Sequence, residues 1–368
     1  MGGERAAEPL GVARAAEPLG VAVVGLNVGK AHLWAYQQLP SQYRVVAVCD
    51  LDEGRAARAA ARNPGSVAVG TLEEVLERSD VDVVDLCTPP ALHLDQVTTS
   101  LAAGCHVVCE KPLVGSLAAA DELASAEARS GRRLMPVFQY RWGHGLQRLK
   151  HLVDAGVTGA ARTATVEVSW RRRADYYAAP WRGTWASELG GVLTSHAVHA
   201  VDMLTYVAGP VASVFARTAT RVNDIEVEDC AAASLELADG SLATISATLG
   251  SSAEITRHRF TYAELSAESG TEPYTSSGDP WVITPDTPEA AARIEAASAT
   301  FEPRSEGYVG QLERFADALA AGTELPVTIA DARASLELLT ALYTSAASRA
   351  EVTLPLAPDH PAAGGWAP

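Results

Sequence analysis

A regular alternation of short apolar runs with helix-like segments, between residues 19 and 138, constrains the fold of this chain most strongly. We predict six strands in this stretch, at residues 19–24, 44–49, 66–69, 81–87, 106–109 and 134–138. The runs are apolar nearly throughout, as strands buried on both faces require. Six strands separated by helices within about 120 residues predict a parallel, doubly wound sheet.

After residue 140 the pattern changes to an alternation of polar and apolar residues, which is typical of strands with one solvated face. These runs lie at residues 163–169, 214–222, 231–237 and 242–249, and Ala238-Asp239-Gly240 predicts a hairpin turn between the last two. We predict loops around a short helix over residues 268–300, and two further helices over 308–320 and 330–348. The second half is therefore predicted to be an α+β domain with an open, mostly antiparallel sheet.

The nine-residue segment RAAEPLGVA occurs twice in succession, at residues 5–13 and 14–22. The second copy runs into the first predicted strand, so the first copy has no strand left to pair with. We therefore divide the chain into a tail at residues 1–18, the parallel-sheet domain at 19–139 and the second domain at 140–368.

Composition excludes several classes of function. The 368 residues include 45 acidic and 29 basic side chains, a net charge of −16, which argues against binding to nucleic acid or to an anionic membrane. No apolar run approaches the roughly 18 residues of a transmembrane helix, and we find no secretory signal, so we expect a cytoplasmic location. The five cysteines fit buried, reduced thiols. Cys105 and Cys109 do not match a zinc spacing, and no metal is expected.

The first predicted strand ends in the turn Gly25-Leu26-Asn27-Val28-Gly29. The dinucleotide fingerprint G-x-G-x-x-G lies at such a turn, where free N–H groups and the helix dipole face a pyrophosphate. This match is imperfect, because Asn27 replaces the second glycine and the loop is one residue short; a tight turn without a ligand is the alternative. Asp50, at the end of the second strand, could accept bonds from ribose hydroxyls or merely cap the next helix. Since no basic residue follows before Arg55, these features in this order favour NAD over NADP.

Two further clusters carry reactive side chains. Glu110-Lys111-Pro112 follows the fifth strand, and ligands bind at the carboxyl ends of strands in such sheets. Gly190-Gly191 precedes a predicted helix over residues 196–207, which Thr194 or Ser195 could cap. A lone histidine on a helix is usually structural, but His196 and His199 lie beside a glycine pair and are candidates for an active site. We interpret Asp202, one turn further on, as structural.

On these residues the chain resembles the glucose–fructose oxidoreductase / inositol dehydrogenase family. The matching motifs, between about residues 19 and 356, are the turn at 25–32, Cys87-Thr88-Pro89-Pro90 with His93, Glu110-Lys111-Pro112, Gly190-Gly191 and His199-Ala200-Val201-Asp202. The resemblance implies an N-terminal Rossmann domain and a C-terminal domain with an open sheet. It also implies hydride transfer between NAD and a carbinol or keto carbon of a sugar, glycoside or cyclic polyol, in a homodimer or homotetramer.

The resemblance implies two catalytic residues, Lys111 and His199. His199 would take the hydroxyl proton, a contribution of typically about 10²–10⁴-fold, and Lys111 would stabilise the negative charge that develops on the oxygen. The residues expected to bind the cofactor are Gly25, Asn27, Val28, Gly29, Asp50, Thr88, Pro89, His93, Glu110 and Lys111. The residues expected to bind substrate are Tyr140, Arg141, Trp181, Ser195, His196 and His199. For Tyr140, Arg141 and Trp181, core packing or a subunit interface is the alternative.

Ser195 departs from the family pattern, because the family's usual catalytic aspartate, four residues before the histidine, falls on it. The departure leaves the proton path and the substrate subclass open. Two alternatives belong to other classes of function. An NAD-dependent glycosidase would oxidise its substrate transiently, eliminate the aglycone and return the hydride. A non-catalytic binding protein would have lost its chemistry at Ser195.

Overall fold

The computed structural model describes residues 17–367, so nearly all of the predicted tail lies outside the described residues. The chain divides into two compact units. The first comprises the residues up to Val114, with Ala119–Val137 and Tyr308–Ala332; the second comprises Gly115–Ala118, Phe138–Gly307 and the residues from Arg333 onward. The main boundary is close to the one we placed after residue 139. Our division treated the second domain as continuous and did not foresee the return of residues 308–332.

The first unit is built on a six-stranded parallel sheet. Its strands are β1 (Leu19–Val24), β2 (Tyr43–Cys49), β3 (Val67–Val69), β4 (Val83–Leu86), β5 (His106–Cys109) and β6 (Leu134–Pro136). The helices between successive strands are α1 (Gly29–Gln37), α2 (Glu53–Arg62), α3 (Leu72–Leu76), α4 (His93–Ala102) and α5 (Leu117–Ser130). The strand order is β3-β2-β1-β4-β5-β6, and every pair is parallel. The predicted doubly wound sheet is confirmed, and its order reverses beside β1, where such folds bind ligands.

Local sequence signals explain where several of these helices begin and end. Thr71 and Glu74, in the pattern T-x-x-E, form a capping box at the start of α3, and the Asp52 side chain caps α2 by accepting from the Arg55 amide. Gly104 and Gly131 follow α4 and α5 with φ of +85° and +64°, a backbone region that other residues rarely adopt.

The second unit is built on an eight-stranded sheet. Its strands are β7 (Ala161–Arg171), β8 (Val211–Ala219), β9 (Cys230–Leu237), β10 (Leu242–Thr248), β11 (Gly250–Tyr262), β12 (Leu265–Glu268), β13 (Val282–Pro285) and β14 (Val352–Thr353). The order is β13-β12-β11-β7-β10-β9-β8-β14. Only β7 and β10 pair in parallel, and the other pairs are antiparallel, so the predicted open, mostly antiparallel sheet is confirmed.

The remaining helices are α6 (His144–Asp154), α7 (Trp185–Glu188), α8 (Val198–Ala208), α9 (Pro288–Ser298), α10 (Gly307–Ala321) and α11 (Ile329–Ser348). Within the second unit, α8 contacts β7 and α6. In the first unit, α10 is held by side-chain bonds to the sheet. The Tyr43 hydroxyl donates to Leu312 O at 2.7 Å, and Gln311 Nε2 donates to Pro136 O at 2.7 Å. These bonds explain why this helix belongs to the first unit.

One prediction for the second half was wrong in part, and two strands were missed. The segment 268–300, which we predicted as loops around a short helix, contains that helix as the eleven-residue α9 but also the strand β13. The strands β11 and β12 were not predicted at all. The inward positions of β11 include Thr256 and His258, which are 1% and 0% exposed. Because polar residues occupy this buried face, the apolar alternation that identifies a strand is hidden.

Across residues 17–367, none of the helices combines the length and the apolar character that crossing a bilayer would demand.

Candidate active site

The glycine turn lies between β1 and α1, at the predicted position. Gly25 has φ of +89°, and a Cβ there would lie 2.6 Å from Cys87 O, so only glycine fits. Gly29 is the first residue of α1, and a Cβ there would lie close to the side chains of Val23 and Cys87. Among the described residues, only Leu189 and Arg349 combine a side chain with positive φ. Asparagine tolerates that backbone region better than most residues, but Asn27 does not adopt it.

Asp50 holds this turn from the end of β2. Its Oδ2 accepts from the Leu26 amide at 2.9 Å, and its Oδ1 accepts from the Asp52 amide at 2.9 Å. Arg55 Nη1 lies 3.1 Å from both carboxylate oxygens. Burial opposes ionisation of Asp50, but the two amides and the guanidinium outweigh it and hold the pKa of this carboxyl below its usual value. A fixed negative charge thus stands at the strand end where a ribose diol is expected.

The ends of β4 and β5 are joined by a buried histidine. His93 is fully buried, with Nε2 at 2.9 Å from Thr88 O and Nδ1 at 3.0 Å from Pro112 O. Burial lowers the pKa of His93. The ring bridges the two strand ends, and its predicted role toward the cofactor stays a prediction.

A second buried histidine, His32 on α1, lies between two carboxylates. Its Nδ1 donates to Asp85 Oδ2 at 2.8 Å, and its Nε2 donates to Glu110 Oε1 at 3.0 Å. Burial alone would lower the pKa of His32, but the charge of Asp85 and the hydrogen bond to it outweigh burial and raise that pKa well above its ordinary value. The ring is therefore an imidazolium with both nitrogens donating.

This ion cluster holds the end of β5, where Lys111 follows Glu110. Glu110 Oε1 also accepts from the Tyr308 hydroxyl at 3.0 Å, and its Oε2 accepts from the Lys111 amide at 3.0 Å. Tyr36 donates to Asp85 Oδ2 at 2.9 Å. Both carboxylate oxygens of Glu110 are thus engaged inside the unit, and Lys111 itself is half-buried.

One group of side chains within residues 17–367 has a spacing that could suit a metal ion. Ligand atoms of His32, Asp85 and Cys87 lie within 4.8 Å of one another. The group is buried, and its members already bond one another, since Cys87 Sγ donates to Asp85 Oδ1 at 3.5 Å. We interpret this group as part of the ion cluster around His32 and not as a metal site. The absence of a metal stays a prediction.

In the second unit, His199 lies on α8 against aromatic rings. It is 6% exposed, stacks on Tyr140 at 4.4 Å between ring centroids and meets the edge of Phe138 at 6.4 Å. Two predicted substrate residues, Tyr140 and His199, are therefore brought together. The stacking fixes the plane of the imidazole, as a group that moves a proton requires.

Arg141 and Asp202 form a buried, two-point ion pair. Arg141 Nε donates to Asp202 Oδ2 at 2.8 Å and its Nη2 donates to Oδ1 at 2.7 Å, while its guanidinium lies over the Tyr206 ring. This pair joins the segment before α6 to α8, which supports the structural interpretation of Asp202. A substrate contact by Arg141 stays a prediction, and its guanidinium is 6% exposed.

Ser195 and His196 lie on a π-helical turn, Leu193–Ala197, that runs directly into α8. Our prediction that Thr194 or Ser195 caps this helix was wrong, since neither side chain caps it and both hydroxyls donate to Gly191 O. Arg172 Nε donates to His196 Nε2 at 3.0 Å, so His196 carries its proton on Nδ1 and donates to Ser195 Oγ at 2.7 Å. Ser195 and His196, both predicted to bind substrate, are thus linked to each other.

Arg172 lies over the rings of Trp170 and Tyr176, and Arg182 lies over those of Tyr176 and Trp181. Arg182 also donates to the Tyr176 hydroxyl. These alternating guanidinium and aromatic planes extend from β7 into the loop that carries Trp181. Planar, amphipathic surfaces of this kind suit the faces of sugar rings.

Glu228 binds the backbone immediately before the π-helical turn. It is 4% exposed and accepts from the amides of Gly191 and Leu193 at 2.9 Å each, and from the Tyr343 hydroxyl at 2.8 Å. A Cβ on Gly191 would lie 1.7 Å from Glu228 O. Glycine at position 191 is therefore required by the close approach of Glu228.

Sequence reasoning missed His32, Asp85, Arg172 and Glu228. His32 lies at the end of the family-like turn, and that position was its only signal. No local pattern joins Glu228 to Gly191, or Arg172 to His196, because each pair is separated by many residues along the chain.

The first unit also fits the cofactor that the resemblance implies. Gly25 leaves room for a close approach of the backbone, Asn27 and Val28 are exposed at the start of α1, and Asp50 stands at the end of β2. Free amides at a helix start attract a pyrophosphate, and the acid suits a ribose diol. The residues present are therefore those that NAD needs.

Comparisons with known proteins agree with this geometry. Residues 19–138 match the sequence profile described as "Oxidoreductase family, NAD-binding Rossmann fold", and residues 146–264 match the "GFO/IDH/MocA C-terminal domain".

The relatives include an uncharacterised oxidoreductase of Synechocystis, 27% identical over 59% of this chain and 62% of its own length. The inositol 2-dehydrogenase of Rhodococcus erythropolis is 39% identical over 32% of this chain and 34% of its own length. The chain thus spans less than two thirds of either relative. A solved structure, the WlbA dehydrogenase of Bordetella pertussis in complex with NADH and UDP-GlcNAcA, is 28% identical with a TM-score of 0.80, and the match covers 93% of this chain and all of that one.

Proposed function

This chain belongs to the GFO/IDH/MocA family of oxidoreductases, with residues 19–138 as its NAD-binding domain, and from this we propose that it is an NAD-dependent dehydrogenase of a sugar, glycoside or cyclic polyol. The observation that supports the proposal best is the combination of a glycine turn with the fixed carboxylate of Asp50 in one unit and an aromatic-bound histidine in the other. WlbA was solved with a nucleotide sugar and inositol 2-dehydrogenase is named for a polyol; both support a carbohydrate-like substrate.

Bound NAD would supply the acceptor for a hydride from the carbinol carbon. We assign the proton to His199, whose ring plane is fixed by Tyr140. We assign stabilisation of the developing alkoxide to Lys111, whose backbone is held by Glu110. Gly25, Asn27, Val28, Gly29 and Asp50 would bind the cofactor together with Thr88, Pro89, Glu110 and Lys111, and His93 would support them.

We place the substrate against Tyr140, Trp181 and the Ser195–His196 turn, with Arg141 beside them. His196 is the weaker candidate for the base, because Arg172 already donates to its Nε2. The family resemblance also supports a homodimer or homotetramer and a cytoplasmic enzyme.

The test is NADH formation, followed at 340 nm, with a panel of free sugars, glycosides, nucleotide sugars and inositols. We expect stoichiometric NADH with at least one secondary alcohol in the panel, and a ketone as product. Release of an aglycone without NADH accumulation would instead identify the glycosidase. Sugar binding without turnover of any panel member would identify a binding protein.

A further inference from the structure

The helix that carries His199 begins at a buried carboxylate. Three consecutive amides at its start are bound by one residue. The side chain of Glu228 accepts from Gly191 and Leu193, and its backbone oxygen accepts from Val192 at 2.8 Å. A carboxylate at a helix N-terminus satisfies otherwise unpaired N–H groups and complements the helix dipole.

The helix start directly determines where the reactive side chains lie. The Gly191 carbonyl accepts from Ser195 Oγ at 2.6 Å and from the Ser195 amide at 2.9 Å. The turn Leu193–Ala197 is π-helical, an irregularity that is frequent at functional sites. A shift of Gly191 would therefore be transmitted through Ser195 into α8 and His199.

The carboxylate is itself fixed from a second direction. Tyr343 on α11 donates to Glu228 Oε1, and its ring stacks on Trp366 at 5.9 Å between centroids. The Trp366 indole N–H donates to Leu189 O at 2.6 Å, just before the glycine pair. Glu228 is thus held by Tyr343, whose ring packs in turn on Trp366.

We propose that Glu228 is a positioning residue for the dehydrogenase reaction, which sets the place of His199 by clamping the amides of Gly191, Val192 and Leu193. This inference rests on the proposed function, since it assigns a role to the helix that carries the proposed base.

The energetics favour a functional role over a purely structural one. Burial raises the pKa of Glu228 to about 7, although its amide and tyrosine bonds oppose the shift. Because the folded state then binds the proton more tightly than the unfolded chain, this group's contribution to stability is full below about pH 4.5 and is lost as pH rises through about 7. The ionised clamp is therefore maintained at the expense of stability, as is common at functional sites.

The experiment compares Glu228→Gln with Asp229→Asn. Asp229 is the adjacent residue, is fully buried, and also binds three amides, those of Arg221, Val222 and Asn223, but in a different loop.

Glutamine at position 228 keeps an acceptor for Leu193 and Tyr343 and presents an N–H group to the Gly191 amide. We expect Glu228→Gln to melt near the wild-type temperature at pH 8 and to keep its NAD affinity and substrate KM. Its kcat should fall by roughly 10- to 100-fold, as small misplacements of catalytic groups do. Asp229→Asn should keep kcat per folded molecule.

Hydrogen exchange provides a readout that does not depend on the reaction. Amide hydrogens in peptides covering residues 191–200 should exchange faster in Glu228→Gln than in the wild type. In Asp229→Asn they should exchange at the wild-type rate. If Glu228→Gln does not fold, Tyr343→Phe removes one bond to the same carboxylate oxygen and should show a smaller loss of kcat with faster exchange over the same residues. Wild-type kcat and unchanged exchange in the Glu228 variant would overturn the clamp. Altered exchange in a protein whose wild type oxidises no sugar would support the clamp and reject the proposed function.

Discussion

At individual positions, the hydrogen-bond and ion-pair partners of a polar side chain decide which of its atoms can donate or accept. Asp50 keeps its charge because two amides and Arg55 bind it. His196 Nε2 acts as a hydrogen-bond acceptor because Arg172 donates to it. The neighbours of each polar side chain therefore decide which of its atoms remain available to a ligand.

Replacement of Asp50 by alanine tests the cofactor preference. The carboxylate should accept bonds from the ribose diol and repel a 2′-phosphate, and its loss also releases Arg55, which could then bind that phosphate. We expect NAD affinity to fall roughly 10- to 100-fold, since bonds to charged groups contribute about 1.5–3 kcal/mol, and the preference over NADP to narrow. Fluorescence titration with both cofactors measures this, with Glu53→Ala as a control on the exposed side of α2. Tighter binding of NADP than of NAD by the wild type would show that our interpretation of Asp50 is mistaken.

A second test concerns Lys111, His199 and Ser195. Lys111→Ala should lose most turnover, because it removes the positive charge beside the alkoxide, and His199→Ala should flatten the pH–rate profile near neutrality; both should still bind NAD. The double variant should be little worse than the worse single one, because residues that act as a unit are not additive.

Ser195→Ala should do far less harm, since the Ser195 hydroxyl is linked to His196 and Gly191. Steady-state kcat and KM over pH 5–10 measure all four variants. Damage by Ser195→Ala equal to that of His199→Ala would place Ser195 in the proton path. Near-wild-type turnover of Lys111→Ala would reject the assignment of the active site.

The ion cluster around His32 joins three secondary-structure elements that are distant in sequence to the residue that follows a fourth. His32 and Tyr36 lie on α1, Asp85 on β4 and Tyr308 on α10, while Glu110 follows β5. Their bonds couple the helix that starts at the glycine turn to the segment that carries Lys111. The cluster therefore fixes the two parts of the proposed cofactor site relative to each other.

Breaking this cluster should be costly. His32→Asn leaves two buried carboxylates without a cation, and removal of one partner from a buried pair costs about 3–5 kcal/mol. Tyr36→Phe removes one hydrogen bond and should cost about 1 kcal/mol. Because the pKa of His32 is raised in the folded state, its contribution is full below pH 6.5 and is lost as pH rises through the raised value. Guanidinium unfolding at pH 6 and at higher pH measures the series; equal destabilisation by the two variants at pH 6 would argue against an imidazolium.

For the complete protein, the open sheet of the second unit presents one uncovered face. On β8 and β10, Phe215 is 40% and Leu242 is 56% exposed, whereas Ala243 and Ile245 on the opposite face are buried. Exposed apolar side chains on a sheet face mark interaction surfaces. On this observation and the family resemblance we predict that the protein self-associates.

Light scattering at micromolar concentration should therefore show a dimer or tetramer of the 38.5 kDa chain. Leu242→Glu places a charge on the exposed face and should shift the protein toward monomer. Val67→Glu, at an exposed position on β3 in the first unit, should leave the assembly unchanged. A wild type that scatters only as a monomer would rule out the association.

Features that short segments encode could be predicted from the sequence. The six apolar runs, the capping box of Thr71 and Glu74, the glycine turn and the alternation in β7–β10 all depend on residues within a few positions of one another, so periodicity and turn chemistry identify them. The motifs that contain Gly25, Asp50, Lys111 and His199 follow one another in the order that the family shows. This resemblance identified the family.

The partners of these residues were decided only by the folded chain. Gly191 with Glu228, His196 with Arg172, and Glu110 with His32 and Tyr308 join residues far apart in sequence, and neither periodicity nor propensity carries that information. The strand β11 was missed for a related reason, since its buried His258 and Thr256 are polar residues whose burial depends on partners elsewhere. Local conformational preferences determine where helices and strands form. Desolvation and the pairing of polar groups in the folded interior determine which side chains are ionised and which are placed to react.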